Sequence, residues 1–209
     1  MKHLVLFGAS RGLGFAIAKH YRELGGSVTA MVRQPESAEA LQALGVDVVA
    51  GDALSISEIE HVLSTAEKDS WVISTMGSFG AEYPVDYTGH RNLIDSLEHF
   101  GISRFLMVSS LGCGDSWATL SERARQAFGQ AVREKSLAES WLQTSQLAFT
   151  ILRPGGLKDG SSTGLGELSQ GKEVHGLITR GEVARLAIEL LNRSESVGQV
   201  YACVDPHYV

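Results

Sequence analysis

The sequence predicts an α/β fold, a doubly wound and mostly parallel sheet with helices on both faces. Two observations carry this. Short apolar runs alternate with segments of helical periodicity along the whole chain. The first run, Leu4-Val5-Leu6-Phe7, also passes through a glycine-rich turn straight into an amphipathic segment, Leu13 to Leu24. At 209 residues the chain suits one sizeable α/β domain, so residues 1–209 are expected to form a single unit.

The elements follow in order. Gly25-Gly26 stops the first helix, because glycine tolerates the left-handed conformation of a helix end. Val28 to Val32 is a second strand, left through Arg33-Gln34-Pro35. Glu36 to Leu44 reads as a short helix closed by Gly45, and Val46 to Ala50 as a third strand. Ser55, with Glu58 three residues on, has the pattern of a capping box before a helix over Ile56 to Ala66. Trp71 to Thr75 is a fourth strand, Asp86 to Phe100 a helix closed by Gly101, and Phe105 to Val108 a fifth strand. An irregular stretch, Gly112 to Leu120, precedes a long helical region, Ser121 to Thr144, with Gly129 as a candidate kink. Ala148 to Leu152 is a sixth strand. After a Gly/Ser-rich loop from Lys158 to Gly171 come a short strand, Glu173 to Ile178, a helix from Arg180 to Leu191 and a last strand, Val200 to Val204.

Composition narrows the function classes. With 44% hydrophobic and 20% charged residues the chain reads as an ordinary globular protein. A net charge of −6 argues against a nucleic-acid surface. No apolar run approaches the roughly 18 residues that span a bilayer, and the N-terminus lacks a signal-peptide pattern. The two cysteines, Cys113 and Cys203, are far apart and form no C-x-x-C, which fits reduced thiols in a cytoplasmic protein. The histidines show no metal-ligand spacing. The expectation is a cytoplasmic monomer or small homo-oligomer without metal, nucleic acid or membrane.

The chemistry starts in the loop Gly8-Ala9-Ser10-Arg11-Gly12-Leu13-Gly14. Glycines between a strand and a helix let the backbone turn sharply and approach a pyrophosphate, which then meets the free N–H groups of the helix N-terminus. Many dinucleotide sites place a carboxylate after the second strand to bind the ribose 2′-hydroxyl. Here Arg33 stands there, and Arg11 lies inside the glycine loop, so the pair suits a 2′-phosphate and hence NADP(H). Asp52 ends the third strand, placed either to accept from an adenine amino group or to cap the next helix. Met76-Gly77 ends the fourth strand, at the edge where open sheets collect ligands.

Several stretches together resemble the atypical short-chain dehydrogenase/reductases. They are Gly8 to Gly14, Gly51-Asp52-Ala53, Val85-Asp86-Tyr87-Thr88-Gly89 with Asn92-Leu93-Ile94-Asp95, Arg104 to Ser110, and Ile151-Leu152-Arg153-Pro154-Gly155-Gly156-Leu157. Within that group the chain is similar to NmrA-like NAD(P)-binding proteins and to biliverdin-IXβ reductase/flavin reductases. The resemblance implies a Rossmann-like domain with NADP(H) along the strand ends, and Pro154-Gly155-Gly156-Leu157 passing the nicotinamide side. It also implies a substrate region built from loops at about 78–85, 112–130 and 155–180.

Departures from the family matter as much. Members with full dehydrogenase machinery carry Tyr-x-x-x-Lys. Lys135 fits the lysine and a ribose-holding role, but Ala131 stands where the tyrosine belongs. Asp86 replaces an asparagine common in the family. The family's active-site hydroxyl falls at Ser110, or next at Ser109, although both serines equally suit backbone capping at a strand end. Cys113 has no evident activating neighbour and reads as structural. Arg123 and Arg125 either meet an anionic group or lie on a solvated helix face.

The sequence therefore predicts an NADPH-dependent reductase that passes a hydride to a flat conjugated small molecule of flavin, bilin or quinone type. Such an acceptor needs no tyrosine, since the cofactor carries the hard chemistry. A non-catalytic NADP(H) sensor of NmrA type is the alternative, and a nucleotide-sugar epimerase or dehydratase a weaker one.

Overall fold

The order of the strands places a crevice where the sequence put its glycine loop. In the computed structural model, which describes residues 1–78 and 82–208, β1 (Leu4–Phe7) lies between β2 (Val28–Val32) and β4 (Trp71–Ser74). Outside these lie β3 (Asp47–Ala50) on one side and β5 (Arg104–Val108), β6 (Ala148–Pro154) and β10 (Gln199–Val204) on the other. These seven strands are all parallel to their neighbours. An eighth strand, β8 (Glu167–Ser169), closes the edge antiparallel to β10. The chain leaves β1 to build β2 and β3, then crosses back to build β4 on the other side. Ligands gather at such a switch point, beyond the carboxyl ends of the strands.

Helices cover both faces because the central strands are apolar on both sides. On one face α1 (Gly12–Glu23) packs on α6 (Arg180–Asn192), burying Ile17, Tyr21, Val183 and Leu190. On the other, α3 (Ile56–Leu63), α4 (Thr88–Phe100) and α5 (Glu122–Gln143) bury Ile59, Leu93, Leu97 and Leu142 against Phe7 and Phe105. A small two-stranded parallel sheet, β7 (Gly156–Lys158) with β9 (Leu177–Thr179), stands at the carboxyl end of β6.

Local departures from the sequence reading have physical reasons. The helix expected over Glu36 to Leu44 is divided into a 3₁₀ turn, Pro35–Ser37, and a short α2, Glu39–Ala43. The capping box at Ser55 does not form: the Ser55 hydroxyl meets that of Ser57, and the Glu58 carboxylate reaches beyond the cap to the Asp52 N–H at 2.7 Å. The helix ends at Leu63. Beyond Ser121, whose hydroxyl accepts from the Ala124 N–H, α5 runs without interruption past Gly129. The short strand expected over Glu173 to Ile178 starts later, at Leu177.

The Gly/Ser-rich loop after Lys158 is tied down. Glu182, fully buried in the first turn of α6, accepts from the Ser162 hydroxyl and from the N–H groups of Gly164 and Gly166. Burial opposes its charge, but the Arg185 guanidinium and these loop donors outweigh it and hold the carboxyl at about 2.

Candidate functional site

The glycine loop is tight enough that side chains have no room. A Cβ on Gly14 would lie 2.2 Å from the Gly8 carbonyl oxygen, and one on Gly8, at φ +86°, would lie 2.8 Å from the Met76 nitrogen. Thr75 at the end of β4 donates to the Gly8 carbonyl at 3.0 Å, fastening the turn to the neighbouring strand. Just beyond, α1 begins at Gly12 with no side chain capping its N-terminus. Its first N–H groups are therefore left for a ligand.

A cleft of about 500 Å³ extends from this loop across the strand ends. Gly8, Ser10, Arg11, Gly12, Leu13, Gly14, Arg33, Asp52, Ala53, Met76, Gly77, Ser109, Lys135 and Leu157 all line it, so the fold unites most of the residues singled out from sequence. The exposed Arg11 and Arg33 stand at one end, and neither has a carboxylate partner among the described residues. Asp52 faces the cleft; it does not cap α3, whose N-cap is Ser55, and its Oδ1 instead accepts from the Leu54 N–H at 2.9 Å in the turn before the helix.

At the other end, Lys135 reaches from α5. Its Nζ donates to the Met76 carbonyl at 2.7 Å and lies 3.2 Å from Oδ1 of Asp86, which is 1% exposed. Asp86 lies behind the cleft, and its Oδ2 takes the Ser78 hydroxyl and N–H. Its backbone carbonyl meets His90, whose other ring nitrogen faces Ser74. Burial, reinforced by the nearby Lys135 charge, pushes His90 down to about 3, leaving a neutral ring under the site.

The two serines after β5 divide their roles. Ser109 lines the cleft and donates to Oε1 of Glu139 at 2.5 Å. Glu139, 2% exposed, takes Nε and Nη2 of Arg153 at 3.0 and 2.7 Å. Arg153 also holds Asp115 on the surface. Burial works against the Arg153 charge, yet Glu139 and Asp115 raise it above the ordinary guanidinium range. Ser110, the first choice from sequence, does not line the cleft; its hydroxyl lies 3.6 Å from the Cys113 sulfur. Burial, then Glu139, raises the Cys113 thiol, which suits a structural role.

Pro154, Gly155 and Gly156 also stay out of the cleft. A Cβ on Gly155 would come within 2.4 Å of the Gly176 carbonyl, so this glycine serves the junction with β9. Of that motif only Leu157 lines the site. Arg125 is held by the Trp117 and Ala118 carbonyls and lies over the Trp117 ring, while Arg123 is exposed.

Sequence reasoning missed Arg180 and Tyr83. Arg180, the first residue of α6, lines the cleft; a Cβ on Gly12 would lie 3.5 Å from its Nε, and Asp159 pairs with it at 2.7 Å. Tyr83 lines the rim and is 72% exposed. Residues 79–81 of the expected 78–85 wall lie outside the described residues. Among the described residues no cluster of potential metal ligands occurs, and no helix is long and apolar enough to cross a membrane.

A glycine cradle at the switch point, two arginines without a carboxylate partner among the described residues, and a lysine at the far end define a dinucleotide-binding protein of the short-chain dehydrogenase/reductase type. The NAD(P)H-binding family profile matches residues 8–194, and the chain belongs to that family, among its atypical, biliverdin-reductase-like reductases. The solved structure of ChuY from Escherichia coli O157:H7, described as an anaerobillin reductase, is 46% identical with a TM-score of 0.92, covering 100% of this chain and 99% of its own. An uncharacterized sugar epimerase of Bacillus subtilis, YhfK, is 30% identical over 84% of this chain and 80% of its own length. Sanguinarine reductase of Eschscholzia californica is 31% identical over 54% of this chain and 43% of its own.

Proposed function

We propose that the protein is an NADPH-dependent reductase of a flat conjugated acceptor, of bilin, flavin or quinone type, acting by direct hydride transfer. The observation that carries this is a complete dinucleotide cleft ending at Lys135 and Ser109, with Ala131 in place of an acid/base tyrosine. The reductase names of ChuY and sanguinarine reductase support it.

The residues present fit the cofactor. Gly8 to Gly14 and the start of α1 cradle the pyrophosphate, with Arg180 beside them. Arg11 and Arg33 take the 2′-phosphate, Asp52 the adenine side, and Ala53, Met76 and Gly77 the strand-end floor. Lys135, positioned by Asp86 and the Met76 carbonyl, holds the nicotinamide ribose. When bound, NADPH supplies a hydride and leaves as NADP⁺. One proton must reach the acceptor to complete the two-electron reduction. Ser109 has its proton committed to Glu139 and so presents an acceptor oxygen, and Ser110 lies outside the cleft. In this reading the proton comes from solvent entering the cleft.

The test mixes purified protein and NADPH with biliverdin, FMN and menadione and follows absorbance of the reduced nicotinamide. The reading expects consumption with at least one acceptor. Tight NADPH binding without consumption across the panel contradicts it and favours a dinucleotide sensor.

A further inference from the structure

Lys135 is held from behind the cleft by two partners, the Met76 carbonyl at 2.7 Å and Asp86 Oδ1 at 3.2 Å. A Cβ on Gly77 would lie 3.3 Å from the lysine Nζ and 3.4 Å from that oxygen, so the ion pair sits directly beneath a residue that lines the cleft. Both partners are themselves fastened by Ser74 and His90. These two side chains are 0% exposed and lie behind the cleft lining.

The partners of His90 fix where its proton lies. A carbonyl oxygen only accepts, so Nδ1 carries the hydrogen and donates to the Asp86 carbonyl at 2.7 Å. The neutral ring then has its lone pair at Nε2, which takes the Ser74 hydroxyl at 2.9 Å. The Ser74 oxygen in turn accepts from the Met76 N–H at 3.3 Å. These contacts close a ring that runs from Lys135 through Met76, Ser74, His90 and Asp86 back to Lys135. Protonation of His90 would turn Nε2 into a donor, break the Ser74 link and set a second cation beside Lys135; burial keeps the ring neutral. An aliphatic side chain could fill this space, but only a group with a donor at one end and an acceptor at the other completes the circuit.

We propose that His90 is a positioning residue for the nicotinamide end of the cofactor. With Ser74 it fixes Met76 and Asp86, and through them the direction of the Lys135 ammonium. The inference rests on the reading of Lys135 as the group that holds the nicotinamide ribose, and it is independent of turnover.

The test compares NADP⁺, which extends to Lys135 in that reading, with adenosine 2′,5′-bisphosphate, which is confined to the glycine-loop and arginine end. Titration calorimetry on the whole protein reads both affinities. Lys135→Ala is the reference and should weaken NADP⁺ by about tenfold or more. Ser74→Ala, a nearly isosteric change, and His90→Leu should each weaken NADP⁺ by about three- to tenfold. The bisphosphate should stay within about twofold in every variant, whereas general damage to the fold would weaken both ligands together. In the Lys135→Ala background, Ser74→Ala should add less than about twofold, because its effect passes through the lysine. Unchanged NADP⁺ affinity in both Ser74→Ala and His90→Leu, a parallel loss of bisphosphate affinity in Ser74→Ala, or full additivity with Lys135→Ala overturns the proposal. Unchanged NADP⁺ affinity in Lys135→Ala itself removes the ribose reading and the proposal with it. The expected pattern in a protein that consumes no acceptor leaves the positioning role standing and removes the reductase reading instead.

Discussion

At the glycine-loop end of the cleft the backbone does the shaping, whereas at the Lys135 and Ser109 end side chains do. Gly8 and Gly14 pack so closely that a single Cβ collides, and the turn is fixed by Thr75 on the adjacent strand. The floor of the other end depends on Ser109, Glu139, Arg153 and Asp115, drawn from β5, α5, β6 and the 3₁₀ turn before α5. A backbone site leaves little room for substitution. A side-chain network can be retuned, yet it collapses when one buried member is lost.

The sharpest way to break this contrast is Glu139→Ala, which leaves Arg153 buried without its main partner. Losing one member of a buried pair costs about 3–5 kcal/mol, so urea unfolding should show a loss of that size. A loss below about 1 kcal/mol would mean that the network is not what supports the Lys135 and Ser109 end.

Next comes Gly14→Ala. The collision should abolish measurable NADPH binding and lower stability by about 1–3 kcal/mol, the range for overpacked sites. Titration of NADPH fluorescence checks it, and retained affinity would show that the loop opens more easily than its contacts imply.

Arg33→Ala should weaken NADPH by about 1.5–3 kcal/mol, the worth of a hydrogen bond to a charged group, and leave NADH unchanged. Equal affinities for the two cofactors in the unmodified protein would remove the 2′-phosphate assignment.

The pinned loop gives a pH test. Glu182 is held at about 2, below its ordinary value of 4.5, so its contribution is present above pH 4.5 and is lost as pH falls toward 2. Stability measured over that window should decline, and Glu182→Gln should flatten the decline; an unaltered slope would show that other carboxylates dominate. The smallest effect belongs to Asp115→Ala, since this partner of Arg153 is 85% exposed and such pairs contribute up to about 1 kcal/mol.

The same contrast governs what the sequence made legible. The glycine loop, Arg33, Asp52 and the strand ends could be placed on one cleft from sequence, because their positions follow from strand and turn signals within a few residues. Ser55 and Glu58 had the local pattern of a capping box, but Asp52 offered Glu58 a competing N–H. Arg180 could not be tied to Gly12 from sequence, because only the packing of α6 on α1 brings them together. Glu139 carried a usable signal: it lies on the buried stripe of α5 with Val132, Ala138 and Leu142, and a carboxylate there requires a partner. Ser109 and Ser110 differ by one residue, and only the strand geometry decides which faces the cleft.

Transfer of deuterium from NADPH labelled at C4 of the nicotinamide tests the central claim most directly. With a bilin acceptor, where the hydride goes to carbon and does not exchange, mass spectrometry of the product should show one deuterium from the transferred face and a second hydrogen from solvent. A carbon-reduced bilin carrying only solvent hydrogen, or no product from any bilin, flavin or quinone, would contradict direct hydride transfer.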